Sequence, residues 1–138
     1  ELEILAGTVG AEGEGVQITI TAPPGAVTAS VLLDAVQEMR DAGAEVIALN
    51  GVSRVVAQTW FLDDDEGVRV SGRVLKPPYV LEVIGDRATL ADAVTFRGGL
   101  ADRVESRGGE VDVEKQKRIQ VTALADPPDP QYARPASN

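Results

Sequence analysis

The sequence contains neither cysteine nor histidine. Their absence excludes thiol nucleophiles, histidine general bases, Ser-His-Asp triads and zinc sites built from these ligands. It also excludes disulfides, so cysteine content does not separate a reducing compartment from an oxidising one. We therefore expect a non-enzymatic protein with no catalytic residues, no cofactor-binding residues, no cofactor and no metal site.

Basic and aromatic residues are also scarce. Thirteen Lys and Arg residues stand against 22 Asp and Glu residues, which gives a net charge of −9. Because neutralisation of phosphates dominates nucleic-acid affinity, this balance predicts no nucleic-acid partner, and it disfavours anionic membrane surfaces as well. Aromatic residues make up 4% of the chain, so Val, Leu, Ile and Ala must fill the core.

No run of about 18 apolar residues is present, so no segment of this sequence is expected to span a membrane. The chain begins with Glu1 rather than methionine. We expect an N-terminal anchor or signal, absent from this chain, to precede it in the native protein.

A chain of 138 residues is about one domain. Residues 1–124 are predicted to form a single α+β domain. Residues 125–138 form a proline-rich tail, which is predicted to be disordered because four of the eight prolines lie after position 125.

Hydrophobic periodicity predicts the elements of the first half. Alternation of apolar and polar residues indicates strands, and apolar spacing of three and four indicates a helix that Thr28 or Ser30 caps and Gly43 ends. Asn50-Gly51 predicts a tight hairpin turn. The glycines at 10, 13 and 15 predict a flexible turn. The predicted strands are 2–9, 16–21, 45–49 and 54–61, and the predicted helix is 30–42.

The second half follows the same rules. An acidic turn at 63–67 precedes the next strand, and Asp86 is predicted to cap a helix that ends near Val94. The predicted strands are 68–75, 79–84, 111–113 and 118–124, and a second short helix is predicted over 100–107.

A weak internal sequence repeat suggests the topology. The helix end, glycine cap and Glu-Val pair at 40–46 resemble those at 106–111, and a strand and a helix precede each. This repeat predicts two β-α-β units, near 16–49 and 79–114, with an inserted β-hairpin between them. Two such units side by side give a ferredoxin-like α/β sandwich. The alternative is that glycine caps and Glu-Val pairs coincide by chance.

Two acidic groups are candidate sites. Asp63 and Asp65 resemble part of a calcium loop, but Gly67 stands where a third ligand belongs, which favours a solvated turn. Glu110, Asp112 and Glu114 share one face of a strand. Such carboxylates can act as acid and base in glycoside hydrolysis, but no cleft is indicated, which favours a solvated face.

The glycines and aromatics offer weaker signals. Gly13 and Gly15 begin a G-x-G pattern, but Ile18 occupies the third glycine position, so we reject a dinucleotide site. Trp60 and Tyr79 are either binding anchors or core residues, and core is favoured in a chain with so few aromatics. Tyr132, in the tail, is either disordered or a docking anchor.

Two longer strings carry a family resemblance. They are LLDAV at 32–36 with AGAEVIALNG at 42–51, and PPYVLEVIGD at 77–86 with Thr89-Leu90. In order and spacing they resemble the bacterial domain of unknown function 881, also called uncharacterised protein family 0749, over about residues 2–124. This family includes YlxW-like proteins encoded beside cell-division genes in Gram-positive bacteria. The composition suggests an actinobacterial member.

The resemblance implies a cellular location for the domain. Family members carry an N-terminal transmembrane helix and a coiled coil before this domain, which implies a single-pass anchor in the cell membrane and an extracytoplasmic domain. No catalytic residues are established in the family. We therefore expect an interaction domain with protein partners in the envelope or division machinery, and an oligomer formed through a strand edge at 54–61 or 68–75, or no self-association. The alternatives are a small-ligand-binding sensor and, more remotely, a hydrolase.

Overall fold

The computed structural model describes residues 2–125, which form an α+β structure with two antiparallel sheets. The tail prediction for 125–138 lies almost wholly outside the described residues. The elements, in chain order, are α1 Leu2–Ala6, β1 Ala11–Thr21, α2 Ala29–Asp41, β2 Val46–Leu49, β3 Ser53–Arg54, β4 Phe61–Asp64, β5 Gly67–Val70, β6 Arg73–Leu75, β7 Tyr79–Ile84, α3 Arg87–Thr95, α4 Leu100–Glu105 and β8 Glu110–Val121.

The larger sheet has the strand order β3-β2-β7-β1-β8. Its central strands β7 and β1 pair antiparallel, as do β2 with β7 and β1 with β8. Helices α2, α3 and α4 pack on one face and form the main core with strand residues such as Val16, Ile18 and Leu81. Smaller apolar residues, including Ala48 and Val121, form a second cluster on the other face with Ile4 of α1.

The smaller sheet has the order β4-β5-β6 and packs its buried residues Val68, Val70 and Leu75 into the main core. The predicted strand 68–75 is wrong as a single strand. Ser71 and Gly72 both have positive φ, so the chain turns between β5 and β6. β4, β5 and β6 therefore form a three-stranded meander rather than the one hairpin that was predicted.

The predicted strand 54–61 is also wrong, although the turn before it is confirmed. Asn50 and Gly51 have φ values of 51° and 67°, as a primed hairpin turn requires. The partner strand β3 has only two residues. A turn follows it, in which the backbone N–H of Val56 donates to the Thr59 hydroxyl and the N–H of Thr59 donates to the Val56 carbonyl.

The first predicted strand, 2–9, is a helix followed by a turn. Gly7 has φ 75° and the N–H groups of Gly7 and Thr8 donate to the carbonyls of Ile4 and Glu3, which is a Schellman C-cap. The same cap ends α2 at Gly43, where it was predicted.

The glycines at 13 and 15 lie inside β1 rather than in a flexible turn. The register of β1 against β8 shifts between them, which marks a β-bulge. A Cβ on Gly15 would lie 1.8 Å from the carbonyl oxygen of Val83, so the close approach of β7 requires glycine there.

The three predicted helices are confirmed as α2, α3 and α4. Thr28 is the N-cap of α2, and Asp86 caps α3 by accepting hydrogen bonds from the N–H and hydroxyl of Thr89. The two strands predicted at 111–113 and 118–124 are one strand, β8, bent by the bulge.

Candidate functional site

The acidic turn between β4 and β5 contacts the start of α2. Asp63 Oδ1 accepts a hydrogen bond of 2.8 Å from the N–H of Ala29, the first residue of α2. Thr28 satisfies another first-turn donor, the N–H of Val31, at a longer 3.4 Å. Asp63 thus joins the small sheet to the start of the main helix, where the unpaired N–H groups and the helix dipole favour a carboxylate.

Asp64 and Glu66 of this turn also have partners within the fold. Asp64 accepts from the N–H of Glu66 and pairs with Arg69 at 3.2 Å, and these contacts lower the pKa of Asp64. Glu66 pairs with Lys76 at 3.0 Å on the surface. Within residues 2–125 no group of three or more acidic residues is arranged to hold a metal ion.

The three carboxylates Glu110, Asp112 and Glu114 lie on β8, on the sheet face opposite the helices. They pair across to Thr21, Thr19 and Gln17 of β1. All three are exposed. Glycosidase chemistry places its two carboxyl groups in unlike environments, and exposure is common to these three.

The two singled-out aromatics differ in environment. Tyr79 is 2% exposed and belongs to the main core, and burial raises its pKa. Trp60 is 42% exposed just before β4, so its assignment to the core is wrong. The N–H of Trp60 donates to the Ser71 hydroxyl and the N–H of Ser71 donates to the Trp60 carbonyl, so this segment is joined to the turn between β5 and β6. Tyr132 lies outside the described residues.

Arg54 is a buried cation that no sequence pattern singled out. It is 3% exposed on the face of the sheet covered by α1, and one guanidinium nitrogen, Nη2, donates to the carbonyl of Val9. Its Nε and Nη1 atoms are buried and have no hydrogen-bond partner among residues 2–125. Burial lowers the pKa of Arg54. Unpaired buried polar atoms are rare in native proteins and each calls for an explanation.

A surface groove between α2 and α3 is the second feature missed from the sequence. It has a volume of about 380 Å³, and its wall includes Glu38, Asp41 and Asp92 together with Ala42, Ala93 and Phe96. Phe96 is 72% exposed, the highest value among the large apolar residues of the described chain. Helical periodicity marked positions 38 and 41 only as the solvent side of α2, so nothing in the sequence showed that α3 would lie beside them.

Glu38, which lines the groove, also belongs to an ion-pair cluster. Arg103 of α4 pairs with Asp34 at 3.3 Å and also with Glu38, both on α2. Burial raises the pKa of Glu38, although Arg103 opposes that effect. Asp41 and Asp92 form no ion pair with any residue in the described part of the chain.

The sheet edges of the described residues are short or protected. The edge strands are β3 and β8 in the larger sheet and β4 and β6 in the smaller one. Only β8 is long, and it carries a bulge and places Lys115 opposite buried Val16. Bulges and inward-pointing lysines are features by which natural proteins block edge-to-edge pairing.

These features define an α+β fold in which Asp63, Asp64 and Glu66 of the acidic turn make contacts within the fold, and whose surface carries a groove with apolar and acidic residues. The family model described as "Bacterial protein of unknown function (DUF881)" matches residues 1–134, and the chain belongs to this family. It is 43% identical over 137 residues to UPF0749 protein Rv1825 of Mycobacterium tuberculosis and, equally, to UPF0749 protein Mb1856 of Mycobacterium bovis. The resemblance predicted from the two strings is confirmed, including its actinobacterial character.

The match covers 97% of this chain and 47% of each relative, so the chain spans about half the length of these curated relatives. A crystal structure of an uncharacterized conserved protein from Mycobacterium tuberculosis superimposes with a TM-score of 0.86 at 43% identity. That comparison covers 98% of this chain and 96% of the other. No helix among residues 2–125 is both long enough and apolar enough to cross a membrane.

Proposed function

We propose that this chain is a non-enzymatic interaction domain on the extracytoplasmic side of a membrane-anchored bacterial protein that serves the envelope or division machinery. The observation that carries the proposal is the set of large apolar side chains at the surface, with Phe96, Leu62 and Trp60 exposed by 72%, 56% and 42%. Exposed aromatic and aliphatic groups beside polar rims are typical of protein-binding surfaces. The family resemblance supports the anchor and the compartment.

We further propose that the scaffold is ferredoxin-like, with β1-α2-β2 as the first β-α-β unit and β7-α3-α4-β8 as the second. The strand order β2-β7-β1-β8 supports this reading, because each unit contributes two strands with one strand of the other unit between them. The meander β4-β5-β6 is then the insertion between the units. Such a scaffold leaves α2 and α3 side by side on one face, which is where the groove lies.

The test is crosslinking of the full-length protein in its native cell, followed by affinity capture and quantitative mass spectrometry. The control is an unrelated protein with the same anchor topology. We expect enrichment of envelope or division proteins that is reduced by the triple substitution Trp60→Ala, Leu62→Ala, Phe96→Ala. A capture profile equal to that of the control would contradict the proposal.

One observation favours the second candidate, a small-ligand sensor. The buried Arg54 has guanidinium N–H groups without partners in the described part of the chain, and such groups suit an oxyanion. A ligand that binds only the folded state raises its stability. The sensor reading predicts that phosphate or acetate raises the melting temperature more than sodium chloride of equal ionic strength, and that Arg54→Met removes the difference. Equal shifts in both salts would exclude this candidate.

A further inference from the structure

The groove between α2 and α3 combines an apolar wall with unpaired negative charge. Ala42, Ala93 and Phe96 form the apolar part, and the groove opens to solvent. Its volume of about 380 Å³ is within the range of ligand-binding clefts. A groove of this kind, with one strongly exposed aromatic ring at its side, can take up side chains of a partner rather than enclose a whole small molecule.

The negative charge in the groove favours a positively charged partner. Arg103 neutralises Glu38, but Asp41 of α2 and Asp92 of α3 have no cationic partner within residues 2–125. Asp41 is also the last residue of α2, where the helix dipole adds partial negative charge. Arg97, which follows Phe96 in the chain, does not line the groove. A cationic group in the groove therefore meets two carboxylates from two different helices.

We propose that this groove binds a basic, partly apolar peptide segment of a protein partner, a proposal that rests on the interaction function above. Lysine or arginine side chains of the segment pair with Asp41 and Asp92, and an apolar side chain packs on Phe96. Charge complementarity favours this occupant: an acidic segment is repelled, and a hard metal ion lacks a cluster of ligands in the described residues. The apolar wall disfavours a purely polar cation.

The experiment uses the complete 138-residue chain and three short fluorescent peptides, with binding followed by anisotropy. One peptide alternates lysine and leucine at helical spacing, the second has glutamate in place of lysine, and the third has serine in place of leucine. We expect the first peptide to bind and the other two to bind at least about tenfold more weakly, because loss of either complementary charge or a central apolar contact is costly.

Matched variants distinguish binding in the groove from nonspecific attraction to the net charge of −9. Asp41→Asn with Asp92→Asn removes two carboxylates from the groove, and Glu110→Gln with Asp112→Asn removes two from the opposite sheet face. We expect the first pair to weaken binding by about fivefold and the second to leave it nearly unchanged, as expected for two solvent-exposed ion pairs. Phe96→Ala is expected to weaken binding by about tenfold. Leu124→Ala, which removes an exposed apolar side chain that does not line the groove, is expected to leave it nearly unchanged.

Three results overturn the proposal: no binding of the lysine-leucine peptide, equal losses for the two carboxylate pairs, or equal binding of the lysine-serine peptide. The first removes the site, the second assigns binding to overall charge, and the third makes the groove a simple cation site. Capture of partners by the full-length protein is measured separately. If the cellular capture succeeds and the peptide experiment fails, the interaction function stands and only this groove is excluded.

Discussion

Replacement of Asp63 by alanine tests whether the acidic turn is a structural cap. In the folded protein the Asp63 carboxylate accepts from the N–H of Ala29 at 2.8 Å, at the start of α2. That N–H has no other acceptor among the described residues, since Thr28 serves Val31 instead. Asp63→Ala therefore removes both a hydrogen-bond acceptor and a negative charge from the N-terminus of the longest helix.

The magnitude follows from these two losses. Removal of a side-chain cap costs about 1 kcal/mol, and loss of a negative charge at a helix N-terminus costs about 0.3–1 kcal/mol. We expect Asp63→Ala to lower the free energy of unfolding by about 1.3–2 kcal/mol. Asp63→Asn keeps an acceptor and should cost about 0.5 kcal/mol. At about 4 °C per kcal/mol for a domain of this size, the alanine variant should melt about 5–8 °C lower.

Urea denaturation of the wild type, Asp63→Ala, Asp63→Asn and Asp65→Ala measures these differences directly. Asp65 is exposed and close by in the same turn, so its alanine variant is the matched control and should stay within about 0.5 kcal/mol of the wild type. Equal losses for Asp63→Ala and Asp65→Ala would refute the capping argument. If those losses appear only when calcium is present, the turn is a cation site instead.

Three further predictions follow from the same structure. Arg54→Met should leave the unfolding free energy unchanged or raise it, because it removes an unpaired buried charge; a loss above about 2 kcal/mol by urea denaturation would contradict this. Gly15→Ala should cost about 3 kcal/mol or more in the same assay, since its Cβ would meet the Val83 carbonyl; a near-neutral result would contradict the close approach. The Thr89 hydroxyl and N–H hold the pKa of Asp86 below its ordinary value of 3.8, so the Asp86 contribution is present above that pH and is lost as pH falls through the lowered pKa. The stability difference between wild type and Asp86→Asn should thus be constant from pH 7 to about pH 5 and shrink below pH 4; a constant difference down to the lowest pH measured would count against it.

Local signals predicted the elements whose ends are chemically marked. Thr28 and Asp86 cap helices because their side chains accept first-turn N–H groups, and Gly43 ends α2 because glycine adopts positive φ without strain. Asn50-Gly51 produced the predicted turn for the same reason. These features depend on a few neighbouring residues, so they are visible in the sequence.

The errors have two causes, contacts from distant residues and local turns. Gly13 and Gly15 were predicted to form a turn, but they are strand residues, because a Cβ on Gly15 would meet the Val83 carbonyl of β7 and a Cβ on Gly13 would meet the Ile84 side chain. Residues 2–6 show a weak alternation that was interpreted as a strand. They form a helix, which ends in the Gly7 cap with its two hydrogen bonds. The length of β3 depends on a local turn closed by Thr59.

The candidate sites were less predictable than the fold. A single sequence shows that Asp41 and Asp92 are polar helix residues, but not that two helices bring them to one groove. Arg54 lies beneath α1 and donates hydrogen bonds to the carbonyls of Val9 and Leu124. Both residues are distant from Arg54 in the sequence, and α1 had been predicted to be a strand. The scarcity of aromatics suggested that Trp60 would be buried, whereas the small sheet leaves it at the surface.

The most direct test of the interaction domain and its groove is site-specific photocrosslinking in the native cell. A photoreactive phenylalanine analogue replaces Phe96 in the full-length protein, and the matched control carries it at Asp112 on the opposite sheet face. We predict a discrete protein adduct from position 96, identified by mass spectrometry as an envelope or division protein with a basic segment at the crosslink. No adduct at position 96, or the same adducts from both positions, would contradict the account.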